Sequence, residues 1–320
     1  MARVEDIRLT SSIGYRPVYR PTVRSITLVH GGVVGADSPA VARRLVGELR
    51  AALRRGEADL VQLPALRADH PLHAAATTEP AGILRERSSE ATHRRVRLPA
   101  SLDELLRSKS GKTRESVTRY MKRLRKDHGD ELEVEILREP VDADRLFRDL
   151  DRVAALTYQR GLGVSFADTD EQRALTTLGL ERGWFRAYVL YLAGAPIAFW
   201  PGYAYARTFF IGTPGYDPGY ARYRVGQHLH AEMIDDLCRD EGIDYLDYGF
   251  GDSEYKRRFG NESWEEADVV FFAPSFKGVR VRSVRAAVDS STRLAKRVLG
   301  GERTERLKKA WRGRVAGSSS

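Results

Sequence analysis

The chain has a single cysteine, Cys238, among its 320 residues, so it forms no internal disulfide, and this favours a reducing cytosol. Cys238 falls on the apolar stripe of an expected helix with Val225, Leu229, Ile234 and Leu237, which makes it core filling rather than a nucleophile. Lysine is also scarce, with 9 against 44 arginines. Four lysines (109, 112, 122, 126) fall in one basic helix and four (277, 296, 308, 309) near the C-terminus, leaving Lys256 alone between them. Long apolar runs are missing as well. The twenty uncharged residues Ala187–Ala206 have the length of a membrane span, but Gly194, Pro196, Pro201 and Gly202 interrupt them and a β-hairpin explains the pattern better. The N-terminus MARVEDIRLT carries charges where a signal peptide needs an apolar run. These absences together predict a cytoplasmic protein.

Metal and nucleotide motifs are missing too. His228 and His230 stand two apart on an expected helix and point in different directions, so no metal site is expected. His30-Gly31-Gly32 precedes a helix and has the form of a phosphate cradle, but the GxGxxG spacing is absent. Ser110–Thr113 (SGKT) mimics the end of a P-loop, yet Leu106 stands where that motif needs glycine.

The net charge of +9 resembles a nucleic-acid signal until it is located. From Lys277 to Ser320 there are 13 basic and 3 acidic residues, leaving 40 basic against 41 acidic in the rest. The body is electrically balanced. Within it, Arg107–Lys126 holds nine basic residues and one acid, suited to a phosphate-bearing ligand or RNA, or simply to a solvated face.

Hydropathy patterning then gives the elements. Residues 1–24 read as a loose lead-in. Ile26–Gly32, a helix from Ser38-Pro39 to Arg55, and Ala58–Leu66 form a parallel β-α-β unit, and Ile83–Leu98 adds a strand region. Pro99–Asp127 reads as one long amphipathic helix with Val117, Tyr120, Met121 and Leu124 on its apolar face. A strand (Glu131–Arg138), two helices (Asp142–Arg160, Thr169–Arg182) and a hairpin turning at Ala193–Ala195 follow. A turn (Thr213–Tyr223), a helix (Val225–Asp240) and strands at Ile243–Phe250 and Trp264–Phe272 complete the body. Beyond Pro274 the segments are basic and helical.

Tyr245–Gly260, YLDYGFGDSEYKRRFG, is the most informative stretch. A strand ends at Gly249 and Gly251, and Asp252 and Ser253 can cap a short helix bearing Tyr255 and Lys256. Ligands of open α/β sheets sit at such carboxyl ends. Lys256 has two readings at this stage, a solvated surface lysine or a functional cation, and Tyr255 is equally a packing residue or an acid.

The element order, with Leu192, Gly194, Pro196, Ile197 and Ala198 supplying an L-x-G-x-P-[IV]-A hairpin, resembles the GNAT acyltransferase fold. Residues 100–272 look more specifically like the cellulose-biosynthesis-associated (CelD/BcsL-like) acyltransferases, related to the FemABX aminoacyl transferases. The passages that carry this are the helix KTRESVTRYMKRLRKDHG, the Tyr216-Asp217-Pro218 turn followed by Gly226, and Asp247…Gly251-Asp252…Tyr255-Lys256…Phe259-Gly260.

The resemblance implies an α/β (α+β) fold, a GNAT-like mixed sheet flanked by helices, with 25–98 as a truncated N-terminal GNAT-like half, 99–275 as the acyltransferase domain and 276–320 as a basic tail. It implies a cofactor pyrophosphate held by backbone N–H groups in a Q/R-x-x-G-x-G/A loop, here Tyr223-Arg224-Val225-Gly226-Gln227-His228, where Gly226 matches and Tyr223 and His228 depart. The implied donor is acyl-CoA or aminoacyl-tRNA, and the acceptor an amine of a cell-envelope precursor or small molecule.

Under that reading Lys256 acts electrostatically, Tyr255 as proton donor and Asp252 as a base or amine anchor. Arg224, Val225, Gly226 and Gln227 take the cofactor. Lys112, Arg114, Arg119, Tyr216 and Asp217 take substrate, including tRNA along the basic helix, while the tail offers peripheral membrane contact. Two rival readings stand beside it, a catalytically silent GNAT-like binding module and an RNA- or membrane-surface protein. Oligomeric state, donor and acceptor are open at this point.

Overall fold

The computed structural model describes residues 2–13, 16–29, 35, 37–78, 84–87, 90–157, 165–251 and 253–299. His30-Gly31-Gly32, Asp252 and the tail from 300 onward lie outside these. The chain divides into two compact units, 1–93 with 264–307, and 94–263 with 308–320. Elements are numbered along the chain.

The first unit begins with β1 (Ala2–Arg8), antiparallel to β4 (Thr22–Leu28), and a hairpin of β2 (Ser11–Ile13) and β3 (Arg16–Tyr19) between them. The stretch expected as a loose lead-in is therefore built into strands. β1 is exposed along most of its length and held by backbone pairing, which leaves no apolar alternation in the sequence. α1 (Pro39–Arg54), capped by Ser38, joins β4 to its parallel neighbour β5 (Leu60–Arg67), so the β-α-β expectation is met.

α2 (Pro71–Thr78) was not foreseen, being short and alanine-rich. β6 (Arg85–Arg87) and the start of β7 (Ala91–Arg97) follow. β14 (Glu262–Phe272), from Trp264 onward, lies antiparallel to β5 and β6. It therefore belongs here and not with the segment 99–275 that the sequence grouped it with. Val46, Leu49, Leu53 and Leu72 of the helices bury against Leu63, Leu66, Val269 and Phe271. α9 (Phe276–Leu299) is fixed by Val281 in a second cluster with Val23, Leu60 and Phe272 and by Arg285 paired with Glu86.

In the second unit, β8 (Leu132–Leu137), β9 (Phe185–Leu192), β10 (Ala195–Tyr205) and β11 (Thr208–Ile211) run antiparallel in sequence order. β12 (Gly215–Tyr216) returns to pair β10, and β13 (Tyr245–Phe250) lies parallel to β11. Both faces of this mixed sheet are covered. Phe185, Ala187, Val189 and Tyr191 of β9 pack with α5 (Ala143–Ala155) and with Leu180 of α6 (Asp170–Glu181). The alternate residues Tyr188, Leu190 and Leu192 pack in the cluster of α3 (Leu102–Arg107), α4 (Gly111–His128) and α7 (Val225–Arg239). Burial on two faces is why β9 and β10 read as one uncharged run.

The hairpin between them turns on Ala193 and Gly194, both at positive φ (49 and 75), as a tight hairpin turn requires. The single helix expected over Pro99–Asp127 is two, because Ser108 ends α3 and the Ser110 hydroxyl caps α4 by accepting from Thr113 N–H. SGKT is thus a helix cap. Cys238 packs at the edge of the α7 cluster, and burial pushes its thiol up to about 12, in keeping with core filling. No helix among the described residues is long and apolar enough to cross a membrane.

Candidate active site

β11 and β13 pair only from Thr208–Tyr245 to Phe210–Asp247. Beyond this the chain after β11 leaves toward β12. β13 instead runs on through Gly249 (φ 67) to Gly251 (φ 96) and into α8 (Glu254–Phe259). A parallel pair that parts at its carboxyl ends leaves a crevice, and a cavity of about 330 Å³ occupies it. Trp200, Pro214–Tyr216, the first turn of α7, His230 and α8 line it.

α7 starts abruptly. Arg224 sits in the left-handed region (φ 57, ψ 43) as its N-cap residue, and its carbonyl accepts from both Gln227 N–H and His228 N–H at 2.9 Å. A non-glycine residue there costs about 1 kcal/mol or more, so the turn is held by its surroundings. Val225 and Gly226, in the first turn, have no acceptor for their N–H groups within the helix, and these point the helix's partial positive charge at the cavity end. The Trp200 indole Nε1 donates to Gly226 O at 2.8 Å and pins the turn to β10. Gln227 Oε1 is buried with no partner.

An aromatic group forms the inner wall. His230 is fully buried, 3.1 Å from the Tyr248 hydroxyl through Nε2, and its ring lies 4.8–5.6 Å from those of Phe259, Trp200, Tyr255 and Tyr248. Burial pushes its pKa down to about 3, so the ring is neutral near pH 7. Burial pushes Tyr255 up to about 12, keeping the phenol protonated, and its hydroxyl has no protein partner among the described residues. Arg258, one turn on, donates to Glu254 Oε1 at 2.5 Å and is 15% exposed.

The structure brings Tyr255, Tyr216, Arg224, Val225, Gly226 and Gln227 together in this cavity. Lys256 is placed elsewhere. It is 8% exposed, and its Nζ donates to Phe250 O at 2.7 Å, strapping the end of β13. Burial lowers its pKa, partly countered by Asp247. Asp217 accepts from Gly219 N–H at 2.8 Å, a turn-forming bond. Lys112, Arg114 and Arg119 are exposed on α4, where Arg114 and Arg119 line a shallow groove with Lys122, Arg123 and Lys126. Asp252 lies outside the described residues.

The two residues that depart from the loop signature, Tyr223 and His228, are both buried and neither lines the cavity. His228 turns to Glu232 (3.5 Å) while His230 faces the cavity, the divergence expected of residues two apart on a helix. Among the described residues no cluster of His, Cys, Asp and Glu is arranged to hold a metal ion.

Sequence reasoning missed Trp200, His230, Arg258 and Phe259. A signal for two of them was present, because Tyr255, Arg258 and Phe259 are spaced i, i+3, i+4 and so share a helix face that excludes Lys256.

Residues 111–257 match the family described as acetyltransferase (GNAT) domain. No curated protein matches the sequence. Among solved structures the chain is similar to the C-terminal domain of a putative lysylphosphatidylglycerol synthetase from Agrobacterium fabrum. That match has 13% identity and a TM-score of 0.54, and covers 90% of this chain and 88% of that one. It is similar also to L-PGS from Bacillus licheniformis (13% identity, TM-score 0.53, covering 91% and 89%) and to FemX (11%, 0.52, covering 84% and 88%). At these identities the likeness is one of fold. The segment that builds most of the cavity thus matches the GNAT acetyltransferase domain, in a fold that most of the chain shares with FemX, L-PGS and the putative lysylphosphatidylglycerol synthetase domain.

Proposed function

We propose that the protein is a GNAT-type acyltransferase that moves an acyl or aminoacyl group from acyl-CoA or aminoacyl-tRNA to an amine of a small molecule or cell-envelope precursor. The observation that carries this reading is the placement of the Tyr255 phenol, protonated and unpartnered, in the same cavity as the open first turn of α7. Phosphate of the donor binds the Val225 and Gly226 N–H groups and Arg224. The acceptor amine attacks the donor carbonyl carbon, the tetrahedral oxyanion collapses, and the leaving thiolate or alkoxide takes the Tyr255 proton. The amine's own proton goes to solvent, since the one carboxylate lining the cavity, Glu254, is engaged by Arg258. Lys256 contributes by holding β13 against α8.

Calorimetric titration with acetyl-CoA and, separately, with a charged tRNA mixture tests the donor. Micromolar acetyl-CoA binding supports the coenzyme A form of the reaction. Binding of charged tRNA alone supports the aminoacyl form, and heat from neither refutes the proposal.

A further inference from the structure

The cavity has a chemical character that the transfer reaction does not require. Its walls are aromatic: Trp200, Tyr216, Tyr255 and Phe259. Its charge is cationic, because Arg224 and Arg258 face one carboxylate, Glu254, whose side chain is 73% exposed.

Arg258 is the unusual member. Its guanidinium has five N–H donors, is largely buried, and donates to Glu254 Oε1 at 2.5 Å. The buried Tyr120 hydroxyl is its other neighbour, near enough to interact with it by charge and by a loose hydrogen bond, and two such acceptors do not use up five donors. A buried guanidinium with spare donors is costly unless an acceptor arrives. Its fork geometry matches a carboxylate bidentately. The buried, unpartnered Gln227 Oε1 of the same cavity lining is a spare acceptor suited to a ligand N–H.

We propose that this cavity is the subsite for an aromatic or branched apolar group bearing a carboxylate, with Arg258 as its anchor, so that the amine acceptor is an apolar amino acid or a peptide end of that kind. Polyamines and other cationic amines are excluded by the two arginines. The inference deepens the transferase reading and rests on it for the word acceptor. Its test uses neither donor nor turnover, so a chain that bound no donor would leave this result standing or falling by itself.

The experiment is equilibrium binding to the full chain, read by tryptophan fluorescence with Trp200→Phe identifying the signal. The probes are phenylacetate, L-phenylalanine, phenethylamine, spermidine and inorganic pyrophosphate. Phenylacetate and L-phenylalanine bind, while phenethylamine and spermidine bind at least roughly tenfold more weakly, the lower end of what one hydrogen bond to a charged group contributes.

Arg258→Gln weakens phenylacetate by roughly 10- to 100-fold, and Arg258→Lys, which keeps charge but loses the fork, falls between. Equal binding of amines and carboxylates in the unaltered protein overturns the proposal even if both variants fail to fold. So does unchanged affinity in a folded Arg258→Gln protein, or the absence of phenylacetate binding. A loss of pyrophosphate affinity in folded Arg258→Gln as large as the loss of phenylacetate affinity also overturns it, since Arg258 would then serve the donor's phosphates.

Discussion

His230 offers the most quantitative test of the cavity wall. In the folded chain its imidazole is enclosed by Trp200, Tyr248, Tyr255 and Phe259, and burial depresses its pKa to about 3. Free imidazole titrates near 6.5, so below that pH the unfolded chain takes up a proton that the folded chain refuses. Stability is fully present above about pH 6.5 and declines as pH falls toward about 3. At about pH 5 the unfolded imidazole is protonated roughly thirtyfold over neutral, which favours unfolding by RT ln 30, about 2 kcal/mol.

His228, lowered to about 4 chiefly by burial, adds a contribution of the same sign that the substitution His230→Gln leaves in place. Urea unfolding of both proteins at about pH 8 and about pH 5 isolates the His230 share. The parent is expected to lose about 2 kcal/mol more than His230→Gln between the two pH values. Equal losses would show that His230 is protonated in the folded chain and that the wall is open to water.

Further outcomes follow from neighbouring residues. Tyr255→Phe keeps the ring packing and removes the proton, so kcat should fall by roughly 100-fold or more with KM little changed; an unaltered kcat would remove Tyr255 from the chemistry. Lys256→Met breaks the bond to Phe250 O and is expected to cost about 1–3 kcal/mol in urea unfolding. Unchanged stability with a collapsed kcat would instead support the electrostatic role read from the sequence. Gly202→Ala places a methyl within 2.7 Å of the fully buried Phe209 ring and of the Phe210 carbonyl, and overpacking of this kind costs about 1–3 kcal/mol. A melting temperature equal to the parent's would contradict the close packing of β10 on β11.

Local chemistry was legible in the sequence wherever one segment sufficed. The turn at Ala193-Gly194, the Ser38 start of α1, the parallel β4–β5 pair and the helix beginning at Val225 each follow from neighbouring residues. Side-chain direction was less legible. Lys256 stood out by its isolation in sequence, yet one position on a six-residue helix turns it inward to Phe250 O, while Tyr255 and Arg258 take the face toward the cavity. β1 escaped notice because backbone pairing leaves no hydropathy trace.

What the sequence determined alone is the set of parts: a mixed α/β chain, a strand ending in glycines, and a helix start with open N–H groups. Those depend on interactions within a few residues. Only the tertiary structure decided which parts meet. Trp200, His230 and Arg258 come from β10, α7 and α8, and their convergence on one cavity arises where β11 and β13 part. That divergence depends on pairings between residues more than thirty positions apart, which no local pattern encodes.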